Sequence, residues 1–253
     1  NAFSNCNSIN SFKIQENSEL RQIKKDAFNN CNEIEQLYIP SNFAKFERGW
    51  CCRTFNLNQI QISEKNQNFK LYENKYIIGK SSQIKENENF NVLIFACRNI
   101  ENVIIPNFIE IIESYAFDNC SKIKKIEFEK NSKLKIIESN AFYLSSIERI
   151  IIPSSVIEIQ ENAFGLCNDL LYCDILNDSK LRRIGEKFLI GSSVNSFFIP
   201  RHVVNIDLNA FYYYNSIKII EIDENSELLN FNICFVINVI VMANVKLCKL
   251  FKK

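Results

Sequence analysis

The residues of this chain best suited to chemistry are ten cysteines and one histidine, His202. A thiol beside an imidazole makes a nucleophile, and clustered thiols hold zinc. Neither arrangement is written here. One histidine leaves Cys–His and Ser–His schemes without their base, and no Cys-x-x-Cys pair occurs. Glu127/Glu129 and Glu221/Asp223 each put two acids on one side of a strand, where they read as a solvated edge and turn. Gly-x-Gly-x-x-Gly, phosphate-loop and His-Glu-x-x-His motifs are missing. No catalytic residue, metal or cofactor is assigned, and an inert binding scaffold is the better account.

The cysteines instead mark a period. Four close the motif Ala-Phe-x-x-Cys, at Ala2 to Cys6, Ala27 to Cys31, Ala116 to Cys120 and Ala163 to Cys167, while Ala141-Phe142 and Ala210-Phe211 keep its first half. Ser145 and Gly191 are assigned to the cysteine place in two other units. Ala116, Ala163 and Ala210 are 47 residues apart, as are Pro106, Pro153 and Pro200, and as are Asn131-Ser132, Asp178-Ser179 and Asn225-Ser226. Two unit types of about 22 to 25 residues therefore alternate, which is the mark of a solenoid. The phase slips upstream, so an insertion of about 20 residues lies between Pro40 and Pro106.

Residues 147–169 spell out one unit. Ile150 and Ile152 alternate along a strand with Arg149 and Ile151 on its other side, and Pro153, which has no N–H to donate, ends it. Val156 and Ile159 return over the core. Asn162-Ala163-Phe164 is expected to open a short helical turn with Phe164 as its apolar plug, and Cys167 closes the unit as a small buried residue. No unit can bury its apolar face alone, so stability comes from stacking.

The Ile-Pro turn followed by Val/Ile-x-x-Ile, as in Ile152 to Ile159, and the Ala-Phe-x-x-Cys after it resemble the BspA-like leucine-rich-repeat family of microbial surface proteins. The likeness runs over residues 1 to about 230. It implies an α/β leucine-rich-repeat solenoid: a right-handed βα superhelix with parallel strands on the concave face and short helical turns on the convex side. It also implies that residues 64–98 are a hairpin-like insertion, built from Asn68 to Tyr72, Tyr76 to Ile78 and Val92 to Phe95. Family members are regarded as adhesins and surface antigens that bind host or matrix macromolecules.

Composition sets the remaining bounds. Residues 1–253 form one elongated solenoid of nine or ten units, with no linker to a second domain. Thirty basic against 29 acidic residues leave no field to argue for nucleic acid or anionic lipid. The chain begins at Asn1 inside a repeat, so it reads as a fragment of a longer protein. Cys6, Cys31, Cys120, Cys167 and Cys173 fall on packed repeat positions and are expected as free thiols; Cys51, Cys52 and Cys97, around the insertion, are less constrained. The sequons at Asn119 and Asn177 are compatible with secretion and prove nothing. Residues 231–253 are a degenerate last repeat or, through the apolar run 231–245 and its lysine flank, a membrane segment; three asparagines interrupt that run.

Successive strands present their outward residues in columns. The candidate contact residues are Tyr38, Ile104, Lys125, Glu127, Arg149, Ile151, Tyr172, Asp174, Phe198 and Glu221. From Ile104 onward the central column alternates apolar and acidic residues, which suits a protein interface. The leading expectation is a non-enzymatic adhesin-type or antigenic binding protein, at the cell surface or secreted, whose concave strand face grips a protein or glycan. The alternative is a cytoplasmic protein-interaction scaffold, consistent with many free thiols in a reducing compartment.

Overall fold

The structure, a computed structural model, describes residues 2–80, 89–207, 209–211, 216–229 and 240–242. In chain order its strands are β1 (Ser11–Lys13), β2 (Gln22–Ile23), β3 (Gln36–Ile39), β4 (Lys45–Phe46), β5 (Gln59–Ile62), β6 (Phe69–Tyr72), β7 (Tyr76–Lys80), β8 (Phe90–Ala96), β9 (Asn102–Ile105), β10 (Ile111–Ile112), β11 (Lys125–Phe128), β12 (Ile136–Ile137), β13 (Arg149–Ile152), β14 (Glu158–Ile159), β15 (Tyr172–Ile175), β16 (Arg183–Ile184), β17 (Ser196–Ile199), β18 (Asn205–Ile206), β19 (Ile219–Ile222) and β20 (Ile240–Met242).

Alternation along each strand decides what turns inward. In β13, Ile150 and Ile152 are buried while Arg149 and Ile151 are exposed. The longer strands pair in parallel as a front face, in the groups β1-β3-β5, β9-β11-β13-β15 and β17-β19-β20. The two-residue strands make a second face, in which β10 to β18 join a sheet completed by β8, β7 and β6. From β1 to β19 the front strands start 23 to 25 residues apart except between Gln59 and Asn102, where the interval is 43. The excess holds the antiparallel pairs β6–β7 and β7–β8, and β8 then runs parallel to β10 as a second-face strand.

The expected helical turns are not there: the described residues contain no helix, and the fold is all β. The Ala-Phe-x-x-Cys segments are tight turns stacked into a third, turn face. Alternate N–H groups bond the next coil, and those between them bond the carbonyl three residues back in their own. Phe117 N–H donates to Ala141 O (2.7 Å), Phe142 N–H to Ala163 O (2.8 Å) and Phe164 N–H to Phe188 O (2.8 Å). Two residues beyond each phenylalanine the backbone takes positive φ, at Asn119, Leu144 and Leu166, which ends any helix before it propagates. The same register corrects one sequence assignment. Gly191, at φ +72°, takes the place of Leu166, and Ser192 takes that of Cys167.

The phenylalanines stack through the core: Phe117 on Phe142 (4.9 Å between centroids) and Phe142 on Phe164 (5.0 Å), all fully buried. The insertion interrupts this column. Trp50 O receives the Phe28 N–H just as Ala141 O receives that of Phe117, so Cys51 stands where a phenylalanine is due. Buried Arg98 fills the space. Its guanidinium lies 3.6 Å from both Cys51 Sγ and Cys120 Sγ, donates to Ala116 O (3.0 Å) and covers Phe95. The Arg53 N–H has no next turn to bond and donates to buried Asp118 Oδ2 (2.7 Å). Burial raises the Asp118 carboxyl, against the pull of Arg98 and that N–H. None of the eight described cysteines is disulfide-bonded. Residues 231–239 and 243–253, which carry most of the possible membrane segment, lie outside the described residues; 240–242 pair with β19. Among the described residues no helix is long and apolar enough to cross a membrane.

Candidate binding face

On the front face the period-2 pleat presents two outward residues per strand. Ile104 (53% exposed), Ile151 (45%) and Tyr172 (53%) are large apolar groups held open to solvent, and Lys125, Glu127, Arg149 and Glu221 are exposed beside them. Tyr38, Asp174 and Phe198 are half-buried. Register places Ile104 beside Glu127, Arg149 beside Lys125 and Tyr172, Ile151 beside Asp174, and Phe198 beside Glu221.

Several of these groups are pinned. Arg149 Nη2 lies 2.8 Å from Asp174 Oδ2, and its guanidinium sits over the Tyr172 ring at 5.2 Å. That fixes a planar cation on an exposed aromatic, a favourable arrangement at interfaces. Lys125 pairs with Glu127. Tyr38 donates to Glu16 Oε2 (2.7 Å) and lies under Lys13. Glu16 also accepts from Ser41 and Ser63; the Ser41 and Tyr38 bonds chiefly hold its carboxyl down at about 2.

The continuous stripe expected from the sequence is divided. Tyr38 belongs to the group that ends at β5, and Ile104 to the one that starts at β9, with the insertion between. Phe198 and Glu221 lie in the third group, because β15 and β17 share no ladder. Between β11 and β13 the ladder joins only Lys125 to Arg149 and Ile126 to Ile150, so Glu127 and Ile151 are not paired. Proline explains these openings. Where Glu129 donates to Ile105 O (3.0 Å), the corresponding residues Pro153 and Pro200 have no N–H.

A cleft of about 830 Å³ opens where β11 and β13 part, lined by Lys125, Glu127, Glu129, Arg149, Ile151 and Ser155 among others. The buried Ser155 Oγ there has no partner among the described residues. Sequence reasoning missed Ser155 and read Glu129 as a solvated edge; the signal for both was Pro153, whose missing donor parts the strands. The remaining polar pairs are structural. Glu129 accepts the Asn107 N–H (2.9 Å), Asp223 accepts the Asn225 N–H (2.8 Å), and His202 lies 2.9 Å from Glu227. Among the described residues no group of His, Cys, Asp and Glu is placed to hold a metal. The sequon residue Asn119 is buried, whereas Asn177 is exposed.

Comparison with known proteins agrees with this architecture. The BspA type leucine-rich repeat region matches in six copies, over residues 1–84 and 88–218. Three solved structures share the fold. A leucine-rich cell surface protein from Faecalibacterium prausnitzii superposes with a TM-score of 0.61 at 18% identity, over 96% of this chain and 62% of that one. A leucine-rich repeat protein from Eubacterium ventriosum gives 0.66 at 15% identity, over 92% and 63%. The pneumococcal vaccine antigen PcpA gives 0.61 at 17% identity, over 93% and 57%. The chain thus spans less than two thirds of each. No curated protein matches it in sequence.

Proposed function

Because the chain belongs to the BspA-type leucine-rich repeat family, we propose that it is a non-enzymatic binding solenoid displayed at a cell surface, gripping a protein partner through its front strand face. The observation that carries this reading is the exposed apolar set Ile104, Ile151 and Tyr172, framed by the Arg149–Asp174 pair. Exposed apolar groups beside a fixed, partly desolvated arginine are what interface centres are made of. The leucine-rich cell surface protein and the vaccine antigen that share its fold support the surface placement. A second reading, an intracellular interaction scaffold, is favoured by the eight unbonded cysteines.

Antibody staining of source cells, intact against permeabilised, separates the two. Signal on intact cells supports surface display; signal only after permeabilisation overturns it. The face itself is tested by Ile151→Glu and Phe198→Glu. Each should leave the melting curve nearly unchanged and weaken partner or cell binding at least tenfold. Unfolding in place of lost binding would invert the face assignment.

A further inference from the structure

The insertion leaves its mark on the turn face as well. A second cleft, of about 540 Å³, runs from Asp26 and Asn29 past Arg53 to Tyr115, Asn140 and Tyr143 and ends at Leu166 and Ile190. It crosses six successive turns, on the order of 20 Å at the usual strand spacing. It shares no residue with the front cleft.

Its lining differs from the front face in one respect. Among the described residues, the side chains of Asp26, Asn29, Arg53, Tyr115, Asn140 and Tyr143 form no hydrogen bond or ion pair with each other or with neighbours, so an acid, two amides, a guanidinium and two phenols converge uncommitted. Two glycines seat the rings. A Cβ at Gly49, itself at φ +71°, would meet Tyr115 Cε2 at 3.3 Å and Asp26 Oδ1 at 4.0 Å, and a Cβ at Gly165 would meet Tyr143 Cδ2 at 3.0 Å. Each tyrosine thus has one ring edge against a glycine. Burial raises both phenols, Tyr115 to about 12, so each keeps a proton to donate.

A peptide strand is a poor occupant. The turn-face N–H groups are spent, at Phe117, Asn119, Phe142 and Leu144 on the next coil and at Asp118, Cys120, Tyr143 and Ser145 within their own, and offer no free ladder. An elongated ligand with flat apolar faces and many hydroxyls fits better: aromatic rings stack on its faces while amide, carboxylate and guanidinium groups fix orientation. We propose that this turn-face groove binds an oligosaccharide, with Tyr115 and Tyr143 as stacking platforms and Asp26, Asn29, Asn140 and Arg53 bonding its hydroxyls.

The test is an array of immobilised neutral and uronate-containing oligosaccharides probed with the whole chain and four variants. Capture of at least one glycan, weakened tenfold or more by Tyr143→Ala and by Asn140→Ala with unchanged melting curves, supports the groove. Tyr143→Phe, which keeps the ring, should lose less than Tyr143→Ala. Ile151→Glu should leave the signal intact, which separates this site from the front face. No glycan captured, capture indifferent to Tyr143→Ala, or capture lost with Ile151→Glu overturns the proposal.

Discussion

Phe142 lies flat between Phe117 and Phe164, nearly parallel to the latter at 4°, with none of the three reaching solvent. Removing one member of such a column empties a cavity that its stacked neighbours cannot collapse into. Phe164→Ala should therefore cost about 3–5 kcal/mol, read as a lowered thermal midpoint; an unchanged midpoint would refute the plug reading. Glu113 makes a prediction of another kind. Side chains at the corresponding corner accept a backbone N–H from the preceding coil, as Glu138 does from Ser114 (3.1 Å) and Glu47 from Lys25 (3.0 Å). Glu113 follows β10, whose neighbour in the preceding coil is the insertion strand β8, and has no such corner to serve. Burial, and then the nearby Glu138 carboxylate, push it up to about 8, with Arg48 opposing. Its ordinary value is 4.5, so the unfolded chain releases this proton first as pH rises. This carboxyl's contribution is thus full below about 4.5 and declines up to about 8. Glu113→Gln should stabilise the protein at pH 8 by about 1 kcal/mol or more, roughly 2–4 °C, and change little at pH 4.5. Equal effects at both pH values would sink the assignment.

At the scale of elements, the sequence was legible wherever a single periodicity decides the outcome. Ile150 and Ile152 against Arg149 and Ile151 announce a strand with two faces, and the fold obeys them. The turns were not legible in the same way. Ala-Phe followed by two residues and a cysteine fits one helical turn as readily as a tight turn. The choice is made by partners about 22 to 25 residues away in the next coil, through bonds such as Phe164 N–H to Phe188 O. Local propensity cannot see those partners. Positive φ at Leu144, Leu166 and Lys187 shows the strength of the override, since leucine and lysine resist that conformation by about 1–2 kcal/mol. Gly191 escapes the penalty at the equivalent corner, and a Cβ there would meet Leu166 Cδ2 at 2.7 Å. Gly191→Ala should accordingly destabilise by at least about 1 kcal/mol, measured by denaturant titration; a neutral effect would mean that the corner relaxes. The candidate contact residues were readable as outward positions. Their division into three groups was not, because it follows from the prolines and the insertion acting across coils.

Over the whole molecule, the front and turn faces are laid out by the same stacking and differ in what their side chains do. On the front, Arg149, Asp174, Lys125, Glu127 and Tyr38 are already engaged with neighbours. In the turn-face groove the side chains of Asp26, Asn29, Arg53, Tyr115, Asn140 and Tyr143 make no such bond among the described residues. The insertion bears on that asymmetry: it removes one turn, puts Arg98 and Asp118 into the resulting gap, and the groove runs past Arg53 at its edge. The connections from front to second face carry a further implication. They alternate between five residues, as from β13 to β14 and from β17 to β18, and seven, as from β11 to β12 and from β15 to β16. A recombination event that copied or excised a single coil would set two short proline connections, or two long ones, side by side. An exchange of 47 residues would leave every junction as it was. Unequal crossing-over in this gene should therefore be tolerated in coil pairs, so that related alleles would differ in length by even steps while their binding surfaces shift along the axis without a change of pattern.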